Sequence, residues 1–366
     1  MVIRLKTAIT ALLMTGACSS ANLPVSTGFP GIVDRPPSAR VFVDANGTFY
    51  PEGWQDRIAG SRIEKSGSLL SAATPAERLW LAAEEERQLA SLDAMIAGKR
   101  RVFVVVHGFN IGEAEAALGF DLLERRIGFR ADDALIRLHW DGMLGSGVGM
   151  GSIWFPATGY SQVVGIRALR RILMLPQNQD VYLISHSRGA SVVLSALGEP
   201  PFSSGFRRAT ERLDFAGTSF LDGPLEDRGN RIHALLLAPA IGYPDFWDRS
   251  CEAREGDDFC SDPPATPATN GRRCSDYRVF TPQLQSIRYT SNAGDKTLRK
   301  YVLNLRRYFN ATDLGYDVTV GQRLAPCFDF PVKGYEIRKT HAHAFTLYAQ
   351  DPELADMLRD AGVEAR

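Results

Sequence analysis

The sequence has no excess of charge of either sign. Lys+Arg and Asp+Glu each number 42, so no basic surface marks a nucleic-acid partner. It has no Cys-x-x-Cys pair, and so lacks the short thiolate spacing of a zinc site; His341 and His343 stand two apart but without an accompanying carboxylate motif. The glycine-rich stretch Gly142 to Gly151 lacks the Gly-Lys-Ser/Thr ending of a phosphate-binding loop. Ser152 occupies the third glycine place of a dinucleotide fingerprint, so this stretch reads as a flexible loop following a strand. There is no internal repeat and no apolar run of membrane-spanning length. These absences leave 366 residues, 45% of them hydrophobic, enough to bury a substantial core in one large domain or two small ones. No metal and no organic cofactor is indicated.

The first eighteen residues, MVIRLKTAITALLMTGAC, carry Arg4 and Lys6, a short apolar stretch from Ala8 to Met14 and a small-residue end. That is the pattern of a secretory leader, too short to span a bilayer. Thr15-Gly16-Ala17-Cys18 resembles the lipobox of bacterial lipoproteins, with Thr15 where that family prefers Leu. The resemblance implies a signal peptide over residues 1–17, lipid on Cys18 and a membrane partner through that lipid. Ser19 implies an outer-membrane anchor facing the periplasm; ordinary leader cleavage nearby is the alternative. Residues 18–38, rich in Pro, Gly and Ser, are expected to form a tether, and residues 39–366 the globular domain. Four further cysteines, Cys251, Cys260, Cys274 and Cys327, form an even set suited to two disulfides in an oxidising compartment. Their pairing stays open among three connectivities, with the short Cys251–Cys260 loop favoured.

Along the domain, the pattern alternates strand and helix. Arg40 to Asp44 and Thr48 to Tyr50 flank the turn pair Asn46-Gly47. Thr74-Pro75-Ala76-Glu77 opens a helix to about Ala97 with an N-cap, a first-position proline and an early acid. There follow strand Val102 to Val106, helix Glu113 to Arg126, strand Ala134 to His139, helix Tyr160 to Leu175, strand Val181 to Ser185, helix Arg188 to Leu197 and strand Ile232 to Ala238. A strand Ser286 to Thr290, a helix Lys296 to Phe309, a strand near Phe328 to Val332 and a helix Asp351 to Ala361 complete the set. Uninterrupted apolar strands alternating with helices predict an α/β fold, a mostly parallel sheet covered on both faces. Two stretches, about 198–231 and 239–283, break the alternation and are expected to lie over the strand C-terminal edge.

One strand-to-helix junction carries chemistry. Ser185-His186-Ser187-Arg188-Gly189 has the form of a nucleophile elbow, with small residues two before and two after the serine, where strand and helix backbones crowd together. Together with the upstream Val-Phe-Val-Val-Val-His107-Gly108-Phe109-Asn110, about 80 residues earlier, it resembles the α/β-hydrolase superfamily, closest to a bacterial group of uncharacterised function. The resemblance covers roughly residues 100 to 350 and leaves the two insertions unmatched. It implies a serine hydrolase of esters or related acyl bonds, acting on a small-molecule or lipid-like substrate with Ser187 as nucleophile. The backbone N–H groups of Phe109 and Arg188 are then the expected oxyanion donors, and the His107 side chain only braces its loop.

A serine needs a histidine base and an acid to orient it. His343, in His343-Ala344-Phe345, resembles the family's His-small-aromatic segment and is preferred over His341; His139 and His233 fall within predicted strands. Asp295, in Tyr289-Thr-Ser-Asn-Ala-Gly-Asp295, resembles the family's acid loop; its bland alternative is a helix N-cap, and Asp245 is the reserve acid. Trp140, Trp154, Phe155, Tyr243, Phe246 and Trp247 are candidates for an apolar pocket or for ordinary packing. Peptide or amide cleavage by the same triad, and a catalytically silent envelope binding protein, remain the rival functions.

Overall fold

The computed structural model describes residues 36–54, 69, 73–142, 149–200, 206, 209–211, 223–246, 277–299, 312–337 and 342–366, with backbone alone at 149–156 and 244. The leader and Cys18, the cysteines 251, 260 and 274, His341 and most of both insertions lie outside them, as do Trp247 and the side chains of Trp154 and Phe155. Cys327 is disulfide-bonded. It is the only described cysteine, so its partner lies outside the described residues.

The eight strands among the described residues form one sheet in the order β2-β1-β4-β3-β5-β6-β7-β8. They are β1 (Ser38–Val43), β2 (Phe49–Tyr50), β3 (Arg101–Val106), β4 (Asp133–Trp140), β5 (Asp180–His186), β6 (Arg231–Leu237), β7 (Leu284–Ser291) and β8 (Val332–Glu336). Only the edge strand β2 runs antiparallel, turned back on β1 through the Asn46-Gly47 turn with Gly47 at φ 71°. The helices are α1 (Pro75–Ile96), α2 (Glu113–Glu124), α3 (Gly149–Val164), α4 (Arg170–Leu173), α5 (Gly189–Leu197), α6 (Lys296–Arg299), α7 (Asp313–Tyr316), α8 (Val318–Leu324), α9 (Phe345–Gln350) and α10 (Glu353–Asp360). A π-helical stretch, Gly165–Leu169, joins α3 to α4.

Side chains alternate across the pleat, and that alternation builds three layers. Val102, Val104 and Val106 of β3 face one core, shared with Leu89, Leu92 and Ile96 of α1, Ile172 of α4 and Val192, Val193 and Leu197 of α5. Phe103 and Val105 face the other, shared with Phe120 of α2, Phe345 and Tyr348 of α9 and Met357 of α10. The central strands β3 and β5 are buried along their whole length, as their unbroken apolar runs predict. Helix α1 starts on a capping box, Glu77 N–H donating to Thr74 Oγ1 at 3.3 Å and Thr74 N–H to Glu77 Oε2 at 2.9 Å.

Two expected elements are placed differently. The helix expected from Tyr160 begins at Gly149, so the end of the glycine-rich stretch is helical rather than loop. The last strand is Val332–Glu336, not Phe328 to Val332. Phe328 and Phe330 stack on each other at 5.1 Å and pack with Phe280, which satisfies their hydrophobicity without a place in the sheet. The expected C-terminal helix is present as Glu353–Asp360, and a further short helix, Phe345–Gln350, precedes it, ending where Asp351 takes extended backbone before Pro352.

Candidate active site

Strand β5 ends at His186, and α5 begins at Gly189, leaving Ser187 and Arg188 to make the turn. Ser187 sits at φ 54°, a left-handed conformation that costs a residue with a Cβ about 1–3 kcal/mol. The surroundings hold it there. Ser187 N–H donates to Leu237 O at 2.9 Å, and Ser187 O accepts from Ala190 N–H at 3.2 Å and Ala240 N–H at 3.0 Å. The small positions have a steric reason: a Cβ on Gly189 would stand 2.6 Å from His107 O, and one on Gly108 would stand 2.7 Å from Ser187 Cβ. The β3 loop and the elbow are therefore pressed together.

Three side chains from three separate strand ends converge here. His343 Nε2 lies 2.7 Å from Ser187 Oγ, and His343 Nδ1 lies 2.7 Å from Asp295 Oδ2. An ionised carboxylate only accepts, so Nδ1 carries the proton and Nε2 is left to accept from the Ser187 hydroxyl. Asp295 stands in the turn after β7 and serves two ends at once. Its Oδ1 caps α6, accepting from Thr297 N–H at 2.9 Å and Leu298 N–H at 3.1 Å, while Oδ2 meets His343. The capping and acid readings of this residue thus coexist. Burial alone would raise the Asp295 carboxyl, but the His343 ring, the Tyr348 hydroxyl and Leu298 N–H hold it below its ordinary range. Asp295 is wholly buried, whereas His343 keeps 15% of its side chain exposed.

The His-Ala-Phe segment has a packing logic. Phe345 is fully buried, edge-on to Phe120 at 5.6 Å and stacked on His186 at 4.9 Å, and this pins the preceding His343 over the elbow. His186 itself is buried and held neutral, its basicity lowered by burial first and then by the neighbouring His343.

His107 makes the brace expected of it. Its Nδ1–H donates to Gly108 O at 2.8 Å and its Nε2 accepts from Trp140 N–H at 3.1 Å, while Trp140 Nε1–H donates back to His107 O at 2.8 Å. The Trp140 N–H can only donate, which fixes this tautomer. Burial lowers the His107 pKa to about 4, so the ring stays neutral near pH 7. Phe109 follows Gly108 in the same loop. The Arg188 N–H precedes the first bonds of α5, which begin with Ala190 N–H to Ser187 O and Ser191 N–H to Arg188 O.

Asp245 lies elsewhere. It accepts from Ser191 Oγ at 3.3 Å and Gly242 N–H at 3.1 Å and pairs at 3.7 Å with the buried Arg188 guanidinium, which also donates to Ala240 O. No hydrogen bond joins it to His343, so the reserve acid is not the one in the array. His139 stacks on Phe42 at 4.8 Å, and His233 pairs with Ser286 Oγ at 3.0 Å, both away from Ser187. Trp140, Tyr243 and Phe246 are buried packing residues. Tyr348 was not a sequence candidate, yet its hydroxyl donates to Asp295 Oδ2 at 2.7 Å. Its spacing of three from Phe345 reads as core in the sequence, and core is also where it lies.

Among the described residues, no group of three or more His, Cys, Asp or Glu is placed to hold a metal, and no helix is long and apolar enough to cross a membrane.

No protein-family model matches the chain, and no curated protein matches it. Among solved structures it is similar to an uncharacterized protein from Pseudomonas aeruginosa, at 9% sequence identity and a TM-score of 0.29, over 80% of this chain and 50% of that one. The chain spans half the length of that structure.

Proposed function

We propose that the chain is a serine hydrolase of the α/β-hydrolase fold that cleaves an ester or related acyl bond through an acyl-Ser187 intermediate. The observation that carries this reading is the continuous array Ser187 Oγ, His343 Nε2, His343 Nδ1, Asp295 Oδ2, with both of its hydrogen bonds at 2.7 Å. The fold reading draws on the same features: a strained serine between strand and helix, an acid after β7 and a histidine after β8, in the chain order serine, acid, histidine.

The chemistry then runs as follows. Ser187 Oγ adds to the carbonyl carbon as its proton passes to His343 Nε2. The charge on the carbonyl oxygen is met by the backbone N–H groups of Arg188 and Phe109. The imidazolium, balanced by Asp295, returns its proton to the leaving alkoxide. Water repeats the sequence on the acyl-enzyme, with His343 again accepting a proton and then giving it back to Ser187. The leader and Cys18 make this an envelope enzyme on the periplasmic side, held by lipid and acting on a small-molecule or lipid-like acyl substrate.

A fluorophosphonate probe tests the reading directly, since it phosphonylates only an activated serine. Labelling of the full-length protein, lost in Ser187→Ala, is the expected result. A folded parent that takes no label would favour the catalytically silent binding protein.

The brace at His107 yields a further expectation. In His107→Ala the loop loses the two imidazole bonds, Nδ1–H to Gly108 O and Trp140 N–H to Nε2, while Trp140 Nε1–H to the His107 carbonyl remains, and the Phe109 donor is displaced. Turnover of a p-nitrophenyl ester should fall by about 100 to 1,000-fold, the usual effect of one lost oxyanion donor. The acid limb of the pH–rate profile should stay where it was, because the ring takes no proton. A shifted limb would give His107 a direct part in proton transfer.

A further inference from the structure

We propose that Tyr348 is a positioning residue of the acid–base pair, its hydroxyl holding the Asp295 carboxylate in the orientation that lets His343 present Nε2 to Ser187. The proposal rests on the hydrolase reading for its effect on rate, but not for its effect on the pair itself.

The Asp295 carboxylate receives four donors in a wholly buried site. Oδ1 is taken by Thr297 and Leu298 N–H; Oδ2 is shared by His343 and Tyr348, each at 2.7 Å. The two donors on Oδ2 come from one short segment, and the carboxylate from a loop about fifty residues earlier, so the hydroxyl ties the histidine segment to the acid loop.

The direction of the Tyr348 proton is also determined. Asn292 Oδ1 accepts from Gly294 N–H at 2.9 Å, which fixes the amide, and Asn292 Nδ2–H then donates to Tyr348 Oη at 3.2 Å. With that lone pair occupied, the single hydroxyl proton points at Asp295. Burial, followed by the charge of Asp295, raises the phenol above its ordinary value, so it remains a donor throughout the working pH range. Among the described residues, the other titratable groups facing the cluster are His186, 5.0 Å from His343, and Asp351 just beyond α9.

Without the hydroxyl, Oδ2 would keep one donor instead of two. The carboxylate would be freer to turn and would draw harder on the Nδ1 proton, making His343 more basic. The two consequences separate a positioning role from a merely structural one: a slower chemical step with binding preserved, and an acid limb that moves.

The test is Tyr348→Phe in the full-length protein. It should lower kcat on a p-nitrophenyl ester by about 10 to 100-fold, the range of one hydrogen bond to a charged group, with KM nearly unchanged. The acid limb of kcat/KM should move to higher pH, by up to about one unit. The low-field proton resonance of His343 Nδ1–H reports the same shift without any substrate. If Tyr348→Phe does not fold, 3-fluorotyrosine placed at position 348 keeps the ring and makes a stronger donor, and must move the limb and the resonance to lower pH. A parent that cleaves no ester but shows the moving resonance would sink the hydrolase reading and leave the positioning role standing. A parent lacking the resonance, or a variant in which limb and resonance stay fixed, overturns the proposal.

Discussion

Replacing Ser187 by Ala is expected to lower ester turnover by about a million-fold, because no other hydroxyl in the array can take its place. What survives should be the contribution of substrate binding and of the backbone donors, about 1,000 to 10,000-fold above water in well-studied cases. The same position carries a stability argument. Alanine has a Cβ and inherits the left-handed φ of 54°, so Ser187→Ala should melt near the parent. Glycine adopts that conformation without strain, so Ser187→Gly should be more stable than the alanine variant by about 1 kcal/mol or more, and equally inactive. Calorimetry beside the kinetic assay checks both halves. An alanine variant that keeps substantial activity ends the nucleophile assignment. A glycine variant no more stable than alanine would show that the elbow stores no strain.

The reach of the sequence follows from which interactions are local. Strand β3 is legible because Val102 to Val106 is apolar at every position and buried on both faces. Strand β8 is an edge strand in which Val332 and Gly334 are half-buried and Lys333 and Glu336 exposed, so its hydrophobic signal is weak, and the nearby Phe328 and Phe330 mimic the missing strand. The start of α3 is hidden for a related reason: Gly149 and Gly151 have low helix propensity, so nothing local in the sequence marks them as helical. At the site, the serine turn can be read because its steric demands fall within five consecutive residues. Asp295 and His343 are each marked by a short segment. Tyr348 is not, since its role depends on Asp295 and Asn292, more than fifty residues earlier, meeting it in space.

Asp295→Asn should lower kcat by about 10,000-fold while leaving the fold intact, and the reason is a tautomer. The asparagine carbonyl can take the place of Oδ1 and go on capping α6 through Thr297 and Leu298 N–H. Its NH2 then faces His343 Nδ1, where a donor stood opposite a carboxylate oxygen. Two donors cannot share that contact, so the ring must move its proton to Nε2 and accept at Nδ1. Nε2 then carries a hydrogen and can no longer receive the proton of Ser187. The Tyr348 hydroxyl can rotate to accept from the new amide, which spares the core but not the chemistry. Stability gives an independent check with a definite sign. The Asp295 carboxyl is held below its ordinary 3.8 in the folded chain. Its contribution is therefore present in full well above pH 3.8 and lost as pH falls through the lower folded value. Denaturant melts of parent and Asp295→Asn should differ least in strong acid and most near neutrality. A variant with undiminished turnover and a constant stability gap would mean that Asp295 caps its helix and nothing more.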